Sequence, residues 1–281
     1  MVLGIIITLL LLHISDFCLP FCWMALPVFF WTNHTTKNQV HYGIIGYPLA
    51  HSFSPAYFRK KFASLHLAAT YDAYPLPHIS DLPALLAAQP QLVGLNVTLP
   101  HKEAILPYLH SVDRSAAVIG AVNCISIKEG KITGYNTDAI GFEQSLIPLL
   151  TAHHTQALIL GTGGSSRAVA YVLQQLGIPY TKVSGSNAEG AIAYSDVTPA
   201  LLDAHKLIVN TTPMGMYPLI DNAPALPYNS LGSQHLLYDL IYNPEETRFL
   251  VHGKANGATT KNGFEMLQLQ AEASWDIWCA V

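Results

Sequence analysis

Short apolar runs alternate along this chain with amphipathic stretches. The apolar runs have the length and the flanking turn residues of buried β-strands. They lie at 40–48, 91–100, 179–186, 207–210 and 236–240. Two amphipathic stretches, 54–67 and 101–109, have the pattern of helices, and the first has Pro55 in its first turn. Strands that alternate with helices predict a parallel α/β sheet.

The clearest single unit lies at 156–177, where an apolar strand enters a glycine-rich turn and then an amphipathic helix. Gly161 permits the tight turn, and Gly163 lets the backbone approach a pyrophosphate. The N–H groups of the helix start, at Gly164 and Ser165, would face that anion with the helix dipole behind them. A serine replaces the third glycine of the usual motif, and such a turn can also cap an ordinary strand. Its place between a strand and a helix favours dinucleotide binding.

Composition narrows the possible functions. The chain has 281 residues, of which 51% are hydrophobic, so it can bury one large core or two smaller ones. The formal net charge is −4 and charged residues make up 11%, which argues against a nucleic-acid binder with a clustered basic face. The 13 histidines are scattered without a zinc-binding spacing, so no metal site is expected. The cysteines form no disulfide framework, as in proteins of the reducing cytosol.

Residues 1–38 form an apolar leader unlike the rest of the chain. The first basic residue is Lys37 and no cleavage site stands out, unlike in a secretory signal. Asp16 and Pro20 interrupt the stretch of about 20 apolar residues that a membrane span needs. We expect these residues to come from a translation start placed too far upstream and to have no part in the fold. The fold itself begins near Val40. A membrane or export segment is the alternative.

Two motifs in the first half carry side chains suited to an anionic or hydroxylated ligand. Ser52 and Ser54 lie at a predicted helix start, where hydroxyls and backbone N–H groups suit a carboxylate. Taken alone, this fragment favours simple N-capping by Ser54. Asn96, Thr98 and Lys102 follow within one turn and helix start. The alternative for the lysine is a solvated side chain without a catalytic role.

Asn123 and Asp138 add an amide and a carboxylate. An Asp and a Lys that converge on one hydroxyl form a proton-transfer pair suited to alcohol–ketone chemistry. Lys102 and Asp138 are the candidates for that pair. The alternative for Asp138 is a helix N-cap before the run AIGFEQSL.

Seven short motifs follow one another along the chain: HSFSP, NVTLPHK, GAVN, NTDAIGF, GTGGSSRAV, NTTPMGM and NGFEML. In these motifs and their order, the chain resembles the shikimate dehydrogenase family from Tyr42 to its C-terminus. The resemblance implies an α/β fold with a split substrate-binding domain, at 39–138 and 262–281, and a Rossmann-like NAD(P)-binding domain at 139–261. A cleft would separate the two domains. The implied reaction is NADPH-dependent, reversible reduction of 3-dehydroshikimate to shikimate, in the biosynthesis of chorismate and the aromatic amino acids.

The resemblance also implies roles for matching positions. Lys102 and Asp138 would be the catalytic pair. The substrate would contact Ser52, Ser54, Asn96, Thr98, Asn123, Tyr242 and Gln270. The cofactor would contact Gly161, Gly163, Gly164, Ser165, Ser184, Gly185, Met214, Gly215, Gly263 and Met266. No metal is implied, since the nicotinamide carries the redox chemistry.

The turn after the second strand of the cofactor domain departs from the family. The family usually has an arginine there that binds the 2′-phosphate of NADP, and Gly185 stands at that position between Ser184 and Ser186. No acidic residue replaces it, so the usual ribose contact of NAD-dependent enzymes is missing too. Lys182 and Arg167 are nearby candidates for the phosphate. NADP is the expected cofactor, with NAD or mixed use as the alternative.

Three other functions stay open. A quinate/shikimate dehydrogenase that uses NAD or both cofactors would differ in only a few pocket residues. A non-catalytic nucleotide-binding protein on the same fold is disfavoured, because a decayed site would tolerate the loss of Lys102 and Asp138. A membrane-attached variant would depend on the leader. We expect a cytoplasmic enzyme, monomeric or homodimeric, with a small-molecule substrate and no nucleic-acid or membrane partner.

Overall fold

Two six-stranded sheets form the framework of the chain from Asn38 onward, which is one compact unit. The computed structural model describes residues 39–50, 52–186 and 188–280. The prediction for the leader, 1–38, lies outside these described residues. Within them, no helix is both long enough and apolar enough to cross a membrane.

The first sheet is mixed. Its strands are β1 Val40–Gly46, β2 Ala69–Pro75, β3 Leu92–Val97, β4 Ser111–Val112, β5 Cys124–Lys128 and β6 Lys131–Tyr135. They lie in the order β2-β1-β3-β5-β6-β4. β1 runs parallel to β2 and β3, whereas β5 is antiparallel to both β3 and β6. The parallel arrangement predicted from the sequence therefore holds only in part, because Glu129 and Gly130, both with positive φ, join β5 to β6 as a tight hairpin.

The second sheet is parallel throughout. Its strands are β7 Ala157–Leu160, β8 Tyr180–Ser184, β9 Ala191–Ala193, β10 Leu207–Asn210, β11 Leu236–Asp239 and β12 Thr259–Lys261. They lie in the order β12-β11-β10-β7-β8-β9, and every neighbouring pair is parallel. The chain builds outward from β7 on one side, then crosses to the other, which is the Rossmann arrangement. The prediction of a Rossmann-like sheet is confirmed.

The helices cover both sheets. They are α1 Ser54–Ser64, α2 Leu82–Ala88, α3 His101–Ala104, α4 Arg114–Ile119, α5 Thr137–Leu146, α6 Gly164–Gln175, α7 Pro199–Ala204, α8 Arg248–Ala255 and α9 Phe264–Cys279. The helix predicted at 101–109 is shorter than expected, since α3 ends at Ala104 and a 3₁₀ turn follows at Leu106–Tyr108. Pro107 lies in that turn and lacks the N–H group that a continued helix would need.

Strand β7 shows why the apolar runs are continuous. Ala157 and Ile159 pack into the core on one face of the second sheet, and Leu158 and Leu160 pack into the core on the other. Successive strand residues point to opposite faces, so a strand that is covered by helices on both faces is apolar at every position.

The C-terminal helix α9 lies against α5 and reaches β3 and β5 of the first sheet. The Trp278 indole N–H donates to the carbonyl oxygen of Ile125 at 2.9 Å. The same indole lies so close to Gly94 that a Cβ there would be 2.4 Å from the ring nitrogen. This docking brings Gln270, on the inner face of α9, to the polar end of the first sheet.

Candidate active site

A pocket of about 480 Å³ opens beside the end of β3 and the starts of α1, α3 and α5. Every residue that the motifs assigned to substrate or to proton transfer lines it. These are Ser52, Ser54, Asn96, Thr98, Lys102, Asn123, Asp138, Tyr242 and Gln270. Sequence-distant segments thus meet in one cavity, as a binding site between two sheets requires. Their individual roles remain predictions.

The Lys102 and Asp138 side chains form an ion pair in this pocket. Lys102 Nζ lies 2.6 Å from Asp138 Oδ2, and the two side chains are only 15% and 12% exposed. Asn123 Nδ2 donates to the other carboxylate oxygen at 2.9 Å. The interpretation of Lys102 as a solvated lysine is therefore wrong. The carboxylate holds the ammonium group in place and leaves its remaining N–H bonds for another partner.

The helix cap of α5 is Asn136, not Asp138. The Asn136 side chain accepts a hydrogen bond from the Ala139 N–H at 3.1 Å. Asp138 lies in the first turn of the helix, where the dipole favours a negative charge. The capping alternative for Asp138 is thus wrong, and its carboxylate is directed at Lys102.

A buried hydrogen-bond network lies under the ion pair. Thr137 N–H donates to Asn123 Oδ1 at 2.6 Å, and the Thr137 hydroxyl lies 3.1 Å from the Ser274 hydroxyl. Ser274 accepts from Asn96 Nδ2 at 2.9 Å, and the Tyr71 hydroxyl donates to Asn96 Oδ1 at 2.7 Å. Each group is buried, so the bonds are made in a low dielectric and fix the amide orientations.

Three members of that network were not identified from the sequence. Thr137 stands inside the NTDAIGF motif and could have been noticed there. Tyr71 and Ser274 lie on a strand and a helix without a local signal. Burial raises the pKa of Tyr71 well above its usual value, against a hydrogen bond from Ser54, so the phenol stays neutral.

The two serines of HSFSP do not cap α1. The residue at the cap position is Phe53, and its side chain makes no capping hydrogen bond. Ser54 is the first helical residue, and both Ser52 and Ser54 line the pocket. The capping interpretation that the isolated fragment favoured is therefore wrong.

Aromatic and apolar side chains form one edge of the pocket. Phe53 lies between Tyr242 and Phe264, with ring centroids 6.2 and 6.0 Å away. Burial raises the pKa of the Tyr242 phenol. Met216 also lines the pocket, although the sequence pointed to Met214 and Gly215 of the same loop. Neither Phe53 nor Met216 was singled out by a motif role.

Three further nicotinamide candidates are Gly215, Met266 and Gly263. Gly215 is buried with φ of +101°, and Met266 is buried in the core of the second sheet. Gly263 allows a close approach, because a Cβ there would be 2.1 Å from the carbonyl oxygen of Leu240. Among the described residues, the pocket lining includes none of these three nor Met214. Their contact with a cofactor remains a prediction.

The glycine turn between β7 and α6 has the geometry of a phosphate cradle. Gly161 has φ of +111°, and a Cβ there would be 2.6 Å from the Thr211 hydroxyl. A Cβ at Gly163 would meet no atom within 4 Å, so a ligand can approach the backbone at this point. The turn leads into Gly164 and Ser165, the first residues of the 12-residue helix α6. These residues fit the pyrophosphate of a dinucleotide.

The turn after β8 offers hydroxyls rather than a cation. The Ser184 and Ser186 hydroxyls lie 3.0 Å apart, and Ser186 N–H donates to Ser184 Oγ at 3.2 Å. The nearest atom to a Cβ at Gly185 would be Tyr194 Cε2 at 4.0 Å, so the position has room for a long side chain. Arg167, a candidate for the phosphate, is instead paired with Glu103 at 2.9 Å.

The comparisons with known proteins agree with this geometry. A model of the shikimate dehydrogenase substrate binding domain matches residues 44–125. The shikimate dehydrogenase (NADP(+)) of Desulforamulus reducens is 35% identical over 264 residues, which is 86% of this chain and 90% of that protein. The chain belongs to the shikimate dehydrogenase family. The Carboxydothermus hydrogenoformans member of that family is 37% identical over 85% of this chain and 91% of its own.

Solved structures extend the similarity to the fold. Shikimate 5-dehydrogenase from Thermus thermophilus, in complex with NADP(H) and shikimate, is 32% identical with a TM-score of 0.77, over 86% of this chain and 94% of its own. The 5-ketofructose reductase of Gluconobacter sp. strain CHM43 is 31% identical with a TM-score of 0.75, over 86% and 93%. The shikimate dehydrogenase fold thus also occurs in an enzyme named for another ketone.

Proposed function

We propose that this chain is a shikimate dehydrogenase that catalyses the NADP-dependent, reversible reduction of 3-dehydroshikimate to shikimate. The observation that carries the proposal is the Lys102–Asp138 ion pair, at 2.6 Å, in a pocket lined by hydroxyl and amide side chains. Relatives above 30% identity are named for this activity and cover most of the chain.

The chain's own residues handle the proton and the developing charge. Bound NADPH supplies a hydride to the ketone carbon. The Lys102 ammonium stabilises the negative charge on the ketone oxygen and donates the proton that completes the alcohol. Asp138 holds that ammonium group in place in the pocket through the 2.6 Å ion pair. In the reverse direction Lys102 accepts the hydroxyl proton.

Substrate recognition falls to the polar lining. Ser52 and Ser54 bind the carboxylate, and Thr98 and Gln270 contact the ring hydroxyls. Asn96 already donates both amide hydrogens, to Ser274 Oγ and to the Asn123 carbonyl oxygen, and accepts from Tyr71. It therefore offers the substrate only one lone pair of its amide oxygen.

In this proposal the second sheet would hold the cofactor. Its pyrophosphate would be held by Gly161, Gly163, Gly164 and Ser165, and its adenosine ribose by Ser184 and Gly185. The second sheet, at 139–261, is the cofactor domain, and 39–138 with 262–281 forms the substrate domain. The packing of α9 on β3 and β5 of the first sheet supports grouping 262–281 with 39–138. The packing of α9 on α5 is then a contact between the two domains, because most of α5 belongs to the cofactor domain.

We place the enzyme in the cytoplasm, with no nucleic-acid or membrane partner, as a monomer or homodimer. Among the described residues, Cys124 and Cys279 are free thiols. The Lys102–Asp138 pair disfavours a non-catalytic nucleotide-binding protein.

One assay tests the proposed activity. Purified protein is given shikimate, quinate or fructose, each with NADP or NAD, and cofactor reduction is followed by absorbance. We expect the highest kcat/KM with shikimate and NADP. Fructose lacks the carboxylate that Ser52 and Ser54 would bind, so it serves as the substrate control. A higher kcat/KM with quinate would support the quinate/shikimate alternative, and turnover of fructose alone would overturn the proposal.

A further inference from the structure

A fully buried carboxylate lies outside the pocket at the end of the second sheet. Asp239 is the last residue of β11 and pairs in register with Asn210, the last residue of β10. Both are completely buried. Residues that lie in register on neighbouring parallel strands have side chains on the same face of the sheet. Asn210 Nδ2 accordingly donates to Asp239 Oδ1 at 3.0 Å. No ion pair between described residues includes Asp239.

Asn210 organises the loop after β10, residues 211–216, which we call the methionine loop. Its Oδ1 accepts from Thr212 N–H at 3.0 Å and from the Thr212 hydroxyl at 2.7 Å. Its Nδ2 also donates to the Met214 carbonyl oxygen at 3.4 Å. The loop ends at Met216, which lines the pocket. One amide therefore fixes both the start and the middle of this loop.

Asp239 organises the loop after β11, residues 240–247, which we call the tyrosine loop. Its Oδ1 accepts from Ile241 N–H at 3.0 Å, next to Tyr242. Its Oδ2 accepts from the Thr247 hydroxyl at 2.6 Å, and Thr247 is the N-cap residue of α8. The carboxylate thus ties both ends of the tyrosine loop to the strand.

The two loops also touch each other at Thr247. A Cβ on Gly215 would lie 3.0 Å from Thr247 Cβ, so the methionine loop packs directly on the residue that Asp239 holds. Burial raises the pKa of Asp239 to about 6, and the hydrogen bonds from Thr247, Ile241 and Asn210 oppose that rise. Near neutral pH the group is an ionised acceptor with three donors, and a charge in such a place is costly unless every donor stays in position.

We propose that Asp239 is a positioning residue: with Asn210 and Thr247 it locks the methionine and tyrosine loops together, and so sets Met216 and Tyr242 at the pocket edge. Asp239 itself touches neither substrate nor cofactor in this scheme. It acts through the two loops. The kinetic part of this proposal rests on the proposed function, whereas the structural part does not.

The test uses a pair of variants at Thr247 and a matched control beside the same strand. Thr247→Val keeps the shape but removes the donor to Asp239, together with the hydroxyl that accepts from Leu250 N–H and caps α8. Thr247→Ser keeps both hydrogen bonds. The control is His235→Gln, at the opposite end of β11, where the buried ring bonds Leu202 and Gly232 and reaches neither loop. Each full-length variant is measured for Tm, for shikimate kcat and KM, and for amide hydrogen exchange in 211–216 and 240–247.

We expect Thr247→Val to lower kcat/KM about tenfold or more, chiefly through KM, because misplacement by a fraction of an ångström at a pocket edge is costly. Exchange in both loops should accelerate, and Thr247→Ser should restore both properties to within about twofold. His235→Gln should lower Tm with kcat/KM and loop exchange unchanged. Asp239→Ala should have the same effects as Thr247→Val, but larger. If Asp239→Ala does not fold, the comparison of Thr247→Val with Thr247→Ser still tests the proposal.

Thr247→Val that lowers Tm but leaves kcat/KM and loop exchange unchanged, like His235→Gln, would overturn the proposal. If the parent enzyme does not oxidise shikimate, the proposed function fails by itself. The exchange measurement still decides whether Asp239 holds the loops.

Discussion

At the scale of single residues, the pocket separates side chains that shape it from side chains that recognise a ligand. Asn96 and Asn123 make most of their side-chain amide hydrogen bonds to protein partners, so they chiefly maintain the shape of the pocket floor. Under the proposed function, recognition would fall chiefly to the hydroxyls of Ser52, Ser54 and Thr98, which line the cavity. The motifs alone could not distinguish an asparagine that shapes the pocket from one that binds a ligand, because the residue type is the same in both roles.

Replacing either pocket serine should weaken substrate binding rather than the chemical step. Ser52→Ala and Ser54→Ala should each raise KM for shikimate about tenfold with little change in kcat, because a carboxylate contact stabilises ground state and transition state alike. Steady-state kinetics give the answer. Ser64→Ala, at the other end of α1 and exposed, is the control. An unchanged KM with a lower Tm would mean that the serines serve only the helix.

Gly185→Arg should sharpen the preference for NADP. An arginine binds a 2′-phosphate by a charge-assisted, often bidentate contact worth roughly 1.5–3 kcal/mol, or about 10- to 100-fold in affinity. The position has room for the side chain, and Arg167 is already engaged with Glu103. We expect KM for NADP to fall with little effect on NAD, measured as kcat/KM for both cofactors. A parent that already prefers NADP by about 1000-fold would contradict this expectation.

At the scale of elements, the sequence predicts best where a strand is buried on both faces. The strands at 207–210 and 236–240, and the unit from β7 to α6, lie where the apolar runs placed them. The β5–β6 hairpin was not predicted, because Glu129 occupies a positive-φ position where glycine or asparagine would have been the signal. The shortened α3 follows from Pro107, whose effect a helical pattern does not reveal.

The docking of α9 on the first sheet depends on a missing side chain. Gly94→Ala should destabilise the protein by about 1–3 kcal/mol, because the new Cβ would overlap the Trp278 indole. The loss of Tm should be accompanied by a higher KM for shikimate, since the same helix carries Gln270. Gly232→Ala is the matched control, because a Cβ there would meet no atom within 4 Å. Equal melting temperatures for the two variants would contradict this account of the packing.

At the scale of the whole molecule, the site exists only because distant segments converge. The order of the motifs implied which residues belong together, and the fold brings the predicted substrate and catalytic residues into one pocket. Phe53, Met216 and Ser274 were not identified from the sequence, because their importance comes from the residues that they face after folding. Chain-wide resemblance therefore predicted the site's members better than its supporting structure.

A chain shortened to begin at Asn38 should fold and keep its activity. Both sheets and every described residue that lines the pocket lie within the compact unit Asn38–Val281. Tm and shikimate kcat/KM of the shortened and full-length proteins give the comparison. An inactive or insoluble shortened protein beside an active full-length one would show that the first residues contribute to the fold.

Lys102→Ala tests most directly whether the ion pair in the pocket performs the proton transfer. Shikimate oxidation is measured under saturating NADP, and shikimate binding is measured separately by calorimetry. We predict that kcat falls by about 10²-fold or more while the dissociation constant for shikimate changes far less. Lys128→Ala, an exposed lysine on β5, should leave both quantities unchanged. Near-normal turnover in Lys102→Ala would contradict the mechanism.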